Sequence, residues 1–314
     1  MRVAPQLRAL TEAAGSPVWP ALAHALREAG IAPVATDIDP LAVGLHLGDL
    51  AAIVPKGFDD DYYTAAEQLI RQHQISLVIP SINEALPGWA NRKEHFAKQG
   101  VTVLISPPTT IETFCDKWLT YLAFQKIGIP TPPTSLAPEY DLIKPRVGRG
   151  SDGIHRRGPE EAGALSGQVS QRYIEGPEYT VDVLCDLDGC PIYIVPRRRL
   201  KVESGISFRG RVVQESDIEH NVRRICDAMQ FIGPINIQCI RGDDGLYFIE
   251  INPRIGGGLA LSLAATTNWF SLIREMIDGR SVEAGPIRYG LTMLRYYSEC
   301  FIELADDRAA SSLI

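Results

Sequence analysis

No CxxC pair occurs among the cysteines of this 314-residue chain, Cys115, Cys185, Cys190, Cys226, Cys239 and Cys300, and several sit in apolar runs such as INIQCI. That usage gives no disulfide or zinc framework and predicts reduced, mostly buried thiols in a cytoplasmic protein. No apolar run approaches the ~18 residues of a membrane helix. Arg8 and Glu12 interrupt the first segment, MRVAPQLRALTEAAG, so it does not read as a secretory signal. Net basic charge is also lacking: 31 Lys and Arg against 38 Asp and Glu leave a formal charge of -7. Neither nucleic acid nor an anionic membrane is therefore expected as a partner. His24, His46, His73, His95, His155 and His220 stand isolated, and no GxSxG elbow is present. These absences argue against a spaced zinc pair and against hydrolase chemistry of the nucleophile-elbow kind.

What is present is a chain with 45% hydrophobic residues, enough to bury two or three compact units. Over residues 1–108, the runs IAPVATDID, LAAIVP, ISLVIPS and VTVLIS alternate with amphipathic stretches near 59–73 and 84–99. That alternation predicts a parallel α/β domain. Its turn AGSPVWPAL carries one glycine but no GxGxxG, so a tight strand-to-helix turn is favoured over a phosphate loop. A helix is expected from about Ile111 to Lys126, and the proline-rich GIPTPPTSLAP reads as a stiff connector. A compact unit then runs to 184, within a span 109–184 that includes the linker helix. A strand-rich unit follows over 185–304, with helices near 216–230 and 268–278, and 305–314 reads as a frayed tail.

The chemistry concentrates in a hairpin. INIQCI and YFIEIN flank the turn RGDDGL. If Ile240 pairs with Phe248, then Gln238 faces Glu250 and Asn236 faces Asn252, gathering these with Arg254 on one surface. The pattern fits a solvated face as well as a ligand row. If a metal is held there, one carboxylate with two amides suits magnesium rather than zinc. Lys144 ends an apolar strand and precedes Gly148, Gly150, Ser151 and Gly153, a loop able to fold its N–H groups over phosphates or simply to lie in solvent. It is not a Walker A loop, because lysine precedes the glycines. The run PRRRLKV sets Arg197, Arg199 and Lys201 on one strand face and Arg198 on the other, either a solvated stripe or a neutraliser of phosphate charge.

Taken in order, DK at Asp116-Lys117, IKPRVGRGSDG, RYIEGPEYTVDV, RRRLKV, INIQ and EINPR resemble the ATP-grasp superfamily, in the branch similar to the carbamoyl phosphate synthase large subunit and biotin carboxylase. The resemblance implies an α/β and α+β chain: a pre-ATP-grasp domain followed by a two-subdomain ATP-grasp fold. It implies that Lys117 and Lys144 contact ATP phosphates beneath the Gly148–Gly153 loop. Gln171, Arg172, Tyr173 and Ile174 would line the adenine pocket, and Glu178 would bind ribose. Gln238, Glu250 and Asn252 would carry Mg2+, with Mn2+ as a substitute. Lys201 would meet the terminal phosphate and Arg254 the transferred phosphoryl group. Gly256, Gly257 and Gly258, with Ser207, Arg209 and Arg211, would form the acceptor pocket. Two residues depart from the pattern: many relatives are acidic where Arg172 stands, and Trp19 replaces a small residue in its turn. The function implied is ADP-forming carboxylate-amine ligation through an acyl phosphate, with amino acids among the candidate substrates and a homodimer as the expected assembly. Carbamate or carboxyphosphate chemistry and a non-catalytic nucleotide-binding regulator are the alternatives.

Overall fold

The computed structural model describes residues 7–59, 61–148, 152–158, 165–203 and 205–303. The loop residues Gly150 and Ser151 and the tail 305–314 lie outside the described residues. The first domain is a parallel sheet of β1 (Leu7–Thr11), β2 (Ile31–Asp37), β3 (Leu50–Ile53), β4 (Leu77–Ile79) and β5 (Thr102–Val103) in the order β3-β2-β1-β4-β5. Helices α1 (Trp19–Glu28), α2 (Val43–Leu47), α3 (Asp61–His73) and α4 (Leu86–Ala97) connect them. The expected strands and the two long helices of this domain are all present. The order reverses between β1 and β4, and the carboxyl ends of these two strands therefore open a crevice where α/β sheets commonly bind ligands.

The linker departs from a single helix. Asp116, in extended conformation, separates α5 (Pro108–Cys115) from α6 (Lys117–Lys126). Its side chain accepts from the N–H groups of Trp118 at 2.8 Å and Leu119 at 3.3 Å, so it caps the second helix rather than continuing the first. A small antiparallel sheet follows: β6 (Thr134–Ser135), β7 (Leu142–Pro145), β8 (His155–Arg156) and β9 (Gln168–Gln171), ordered β6-β9-β7-β8.

The largest sheet comprises β10 (Glu178–Cys185), β11 (Pro191–Glu203), β12 (Ile206–Val212), β13 (Gly233–Gly242), β14 (Gly245–Asn252) and β15 (Thr292–Leu294), ordered β14-β13-β10-β11-β12-β15. Helix α7 (Ser216–Ala228) buries Ile218, Val222 and Ile225, spaced to form one face, in a core shared with Val181, Val183 and Ile237 of the sheet. Helices α8 (Leu259–Ala265) and α9 (Trp269–Ile277) cover the other side. There Trp269, Phe270 and Ile273 share a core with Trp19, Leu22 and Leu26 of α1. Asn268 and Arg274 seal that junction by donating to the carbonyls of Ala25 and Ala29, each at 2.8 Å. Burying aromatic groups of this size contributes about 1.5–3 kcal/mol apiece, so the first domain and the last subdomain hold each other in place.

Candidate active site

The three sheets meet around a cleft of about 680 Å3. One wall comes from the first domain through Glu12 and Ser81, a second from the small sheet through Pro145 and Gly148, and the third from the large sheet through Gln238, Glu250 and Arg254.

In the third wall Asn236 pairs with Asn252 and Gln238 with Glu250, the predicted partners. Ile240 pairs with Tyr247, not with Phe248, because a bulge leaves Ile249 without a cross-strand partner. The bulge has a packing cause. Phe248 and Glu250 would share a face in a regular strand, whereas here Phe248 is buried beside Phe124 and Glu250 faces the cleft. Asn252 donates to Glu250 at 2.7 Å and accepts from Arg254 at 3.1 Å. Arg254 is steadied from across the cleft by Asn83 of the first domain and donates to the Ile255 carbonyl at 2.8 Å. Gln238, Glu250 and Asn252 thus line one cleft as hard oxygen donors, and no group of three His, Cys, Asp or Glu suited to a metal exists among the described residues. A set of this kind fits magnesium or manganese and is a poor match for zinc.

On the small sheet, Lys144 is buried and donates to Gln171 Oε1 at 2.7 Å, and Gln171 in turn donates to Thr134 at 2.9 Å. Burial pulls the Lys144 ammonium down to about 8, with Glu250 opposing that shift and Lys117 reinforcing it. Lys117 reaches the Gly148 carbonyl at 3.5 Å, and Arg146 grips Asp116 at 2.6 Å, so the base of the glycine loop is tied to the start of α6. Gly148 and Gly153 both adopt positive φ, a backbone that glycine takes without a Cβ penalty. Gln171, Arg172, Tyr173, Ile174 and Glu178 do not line the 680 Å3 cleft. Arg172 instead bridges to Asp244 at 3.2 Å over the Tyr247 ring, pinning the small sheet to the β13-β14 turn. Arg156 stacks on Tyr173 at 3.9 Å, and Glu178 is ion-paired with Arg199. Gly176 lies so near the chain that a Cβ would stand 2.0 Å from the Arg241 carbonyl oxygen, which explains the strand break before Glu178.

Of the cationic residues predicted for the site, Arg254 lines the cleft, Lys117, Lys144 and Arg172 lie outside its lining, and three more are turned to solvent on β11 and β12. Lys201 is exposed, paired with Glu203 at 2.6 Å and lying over the Phe208 ring. Arg209 and Arg211 are exposed on β12. Register shifts around Lys201 and Val202 explain the error: Ser207 is turned inward and lines the cleft while Arg209 and Arg211 face away. Gly256, Gly257 and Gly258 do form its floor.

The stripe reading included Arg197 without foreseeing its burial against Asp182. It is 1% exposed and held by Asp182 through bonds of 2.7 and 3.0 Å, yet it lines the cleft. The available signal was Asp182 itself, a carboxylate set between two valines in the strand EYTVDVLC, which requires a buried partner. Glu12 also escaped notice. It accepts from the Ser81 N–H at 2.6 Å, the Ile82 N–H at 2.9 Å and Trp89 Nε1 at 2.7 Å, and from Tyr62, filling the β1/β4 crevice. Trp19 fills the adjoining turn, donating to Thr11 at 3.0 Å.

Comparison with known proteins agrees with this architecture. Residues 167–297 match the family "ATP-grasp in the biosynthetic pathway with Ter operon", and residues 18–104 match "PylC-like, N-terminal domain". A carbamoyl-phosphate synthase of Methanobrevibacter smithii is 24% identical over 189 residues, covering 54% of this chain and 50% of that protein. This chain spans a quarter or less of the carbamoyl phosphate synthase large chains it also matches. Among solved structures, an N5-carboxyaminoimidazole synthetase of Staphylococcus aureus superposes with TM-score 0.71 at 14% identity, over 90% of this chain and 80% of that one. An L-amino acid ligase of Bacillus licheniformis does so with TM-score 0.66 at 19% identity, over 86% and 73%. The chain carries an ATP-grasp domain behind a PylC-like N-terminal domain, and its fold is the ATP-grasp fold.

Proposed function

We propose that this ATP-grasp protein is an ADP-forming ligase that joins a small-molecule carboxylate to an amine through an acyl phosphate. The observation that carries this reading is the convergence of Gln238, Glu250, Asn252 and Arg254 above a glycine floor in one cleft. A carboxylate is a poor electrophile. Its oxygen attacks the terminal phosphorus of ATP and ADP leaves; the amine nitrogen then attacks the acyl carbon, phosphate leaves, and the nitrogen gives up a proton.

Residues of this chain serve each stage. Gln238, Glu250 and Asn252 would hold Mg2+, which would supply positive charge to offset that of the phosphates. Arg254, fixed by Asn83 and Asn252, is positioned to stabilise the phosphoryl group in transfer. Lys144 and Lys117, at the root of the glycine loop, would hold ATP phosphates, with Gln171 to Ile174 toward adenine and Glu178 toward ribose. Lys201 and the pair Arg209 and Arg211 would take part only after rearrangement of β11 and β12. Closure over the cleft would keep water from the acyl phosphate. The resemblance in fold to an L-amino acid ligase favours amino acids as substrates, and a homodimer is the proposed assembly. Arg172, which departs from the acidic pattern of many relatives, has a structural use at the hairpin turn.

The test is incubation with ATP, Mg2+, hydroxylamine and a panel of carboxylic acids. Formation of a hydroxamate together with ADP identifies the activated acid. ADP and hydroxamate at background across the panel, with nucleotide still bound, would favour the regulator.

A further inference from the structure

The floor of the cleft holds a cation with a donor left over. Arg197 spends Nε and Nη2 on Asp182, while its buried Nη1 has no hydrogen-bond partner among the described residues. Asp182 is fully engaged: Asn236 donates to it at 2.9 Å and Ser262 at 2.5 Å, in addition to both bonds from Arg197. No further acceptor is therefore available on that carboxylate to satisfy Nη1.

The glycine run lies directly against this guanidinium. A Cβ at Gly258 would stand 2.4 Å from Nη1, and one at Gly256 would stand 2.5 Å from the Asn236 amide nitrogen. A second cation backs the glycine run from outside the cleft lining: Arg295, part-buried, donates to the Gly257 carbonyl. It forms no salt bridge among the described residues, and burial together with the charge of Arg197 lowers its pKa. Two guanidiniums set against the single carboxylate of Asp182 leave a net positive charge in this corner, and an orphaned buried N–H there is unfavourable until an acceptor arrives. Ser207, also buried, lines the adjacent wall.

Resting on the ligase reading above, we propose that this corner is an anion subsite holding the non-reacting carboxylate of the amine substrate, which is therefore an α-amino acid. Its position accords with that role. The floor begins two residues after Arg254, and Asn236 belongs both to the Asp182 network and to the pair opposite Asn252, so an amine anchored here lies next to the phosphoryl-transfer row. The reacting carboxylate and the docked one are thus held by different residues, and one amino acid cannot occupy both positions in the same manner.

The test is calorimetric titration of the protein, with and without MgADP, by a panel of L-amino acids and their carboxamides, alongside the hydroxylamine assay. Free amino acids from the panel should bind, and their carboxamides should bind roughly 10- to 100-fold more weakly, the value expected for losing a charged hydrogen bond. Arg295→Gln, which removes the charge without touching the buried Arg197-Asp182 pair, should weaken the acids at least tenfold while leaving their carboxamides unchanged. Gly258→Ala should do the same by pressing a methyl group onto Arg197, with MgADP affinity retained in both variants. Equal binding of acids and carboxamides, no binding of any acid, or an Arg295→Gln variant that binds acids as wild type would each overturn the subsite. Acid-selective binding without ADP release in any reaction would instead overturn the ligase reading and leave the anion subsite standing.

Discussion

Two buried polar networks, one in each half of the molecule, differ in a way that separates scaffold from site. At the crevice between β1 and β4, Glu12 is 2% exposed and surrounded by neutral donors from Tyr62, Trp89, Ser81 and Ile82. The crevice that a sheet of this order would offer to a ligand is filled by the protein's own carboxylate, and Trp19 occupies the turn beside it. At the floor of the cleft, Asp182 is just as saturated, but its partner Arg197 keeps one N–H unspent. A closed network rigidifies; an open one waits for a ligand.

The largest expected effect comes from breaking the open network at its charge. Asp182→Leu leaves Arg197 buried and unpaired, and denaturant unfolding should show a loss of about 3–5 kcal/mol. Breaking the closed network is milder. Glu12→Gln retains shape and one acceptor while replacing part of a carboxylate that met four donors, so the loss should be about 1–3 kcal/mol, with ADP affinity unchanged because the nucleotide is proposed to be held by Lys117, Lys144 and the Gln238 to Arg254 row rather than by the first-domain wall. A result in which Glu12→Gln abolished ADP binding while Asp182→Leu was silent would reverse the comparison.

The third prediction concerns pH. Lys144 lies on β7 of the small sheet, and burial lowers its pKa from 10.5 to about 8. Its protonated form is the one that holds phosphate. ADP affinity measured without metal should therefore weaken by about tenfold per unit as pH rises above about 8, and Lys144→Met should remove the inflection. The stability linkage has the opposite sense. Because the folded state gives up its proton first, the cost of the buried ammonium is fully present below about 8 and disappears as pH rises toward 10.5, so Lys144→Met should stabilise most at neutral pH. The smallest effect should come from Arg172→Ala, which cuts an exposed bridge to Asp244 and leaves the backbone of the 171–174 segment in place toward adenine: the KM for ATP should change by less than about threefold.

Much of this was legible in the sequence, and the failures share a cause. Period-2 alternation placed Gln238, Glu250, Asn252 and Asn236 on one face, because three alternating polar residues in an apolar strand constrain register strongly. Alternation cannot see a bulge. The extra residue at Ile249 moved the turn end of the hairpin by one, and irregular pairing near Lys201 sent Arg209 and Arg211 outward. The helix break at Asp116 was missed because its cap depends partly on Arg146, thirty residues away. Arg197 looked like one of three cations in a stripe with Arg199 and Lys201; only the sheet order, which seats β10 between β11 and β13, brings Asp182 against it. Long-range pairing of this kind leaves at most a hint in a strand, such as one aspartate among valines.

The central claim is that the row ending in Glu250 is where phosphoryl transfer occurs. It is tested most directly by measuring ADP release with Mg2+ and an activating carboxylic acid for wild type and Glu250→Ala. The account predicts acid-dependent ADP release that falls by about 10²–10³ in the variant, with the fold retained, as loss of a residue that positions transition-state charge requires. Acid-dependent ADP release at an unchanged rate in Glu250→Ala would contradict it.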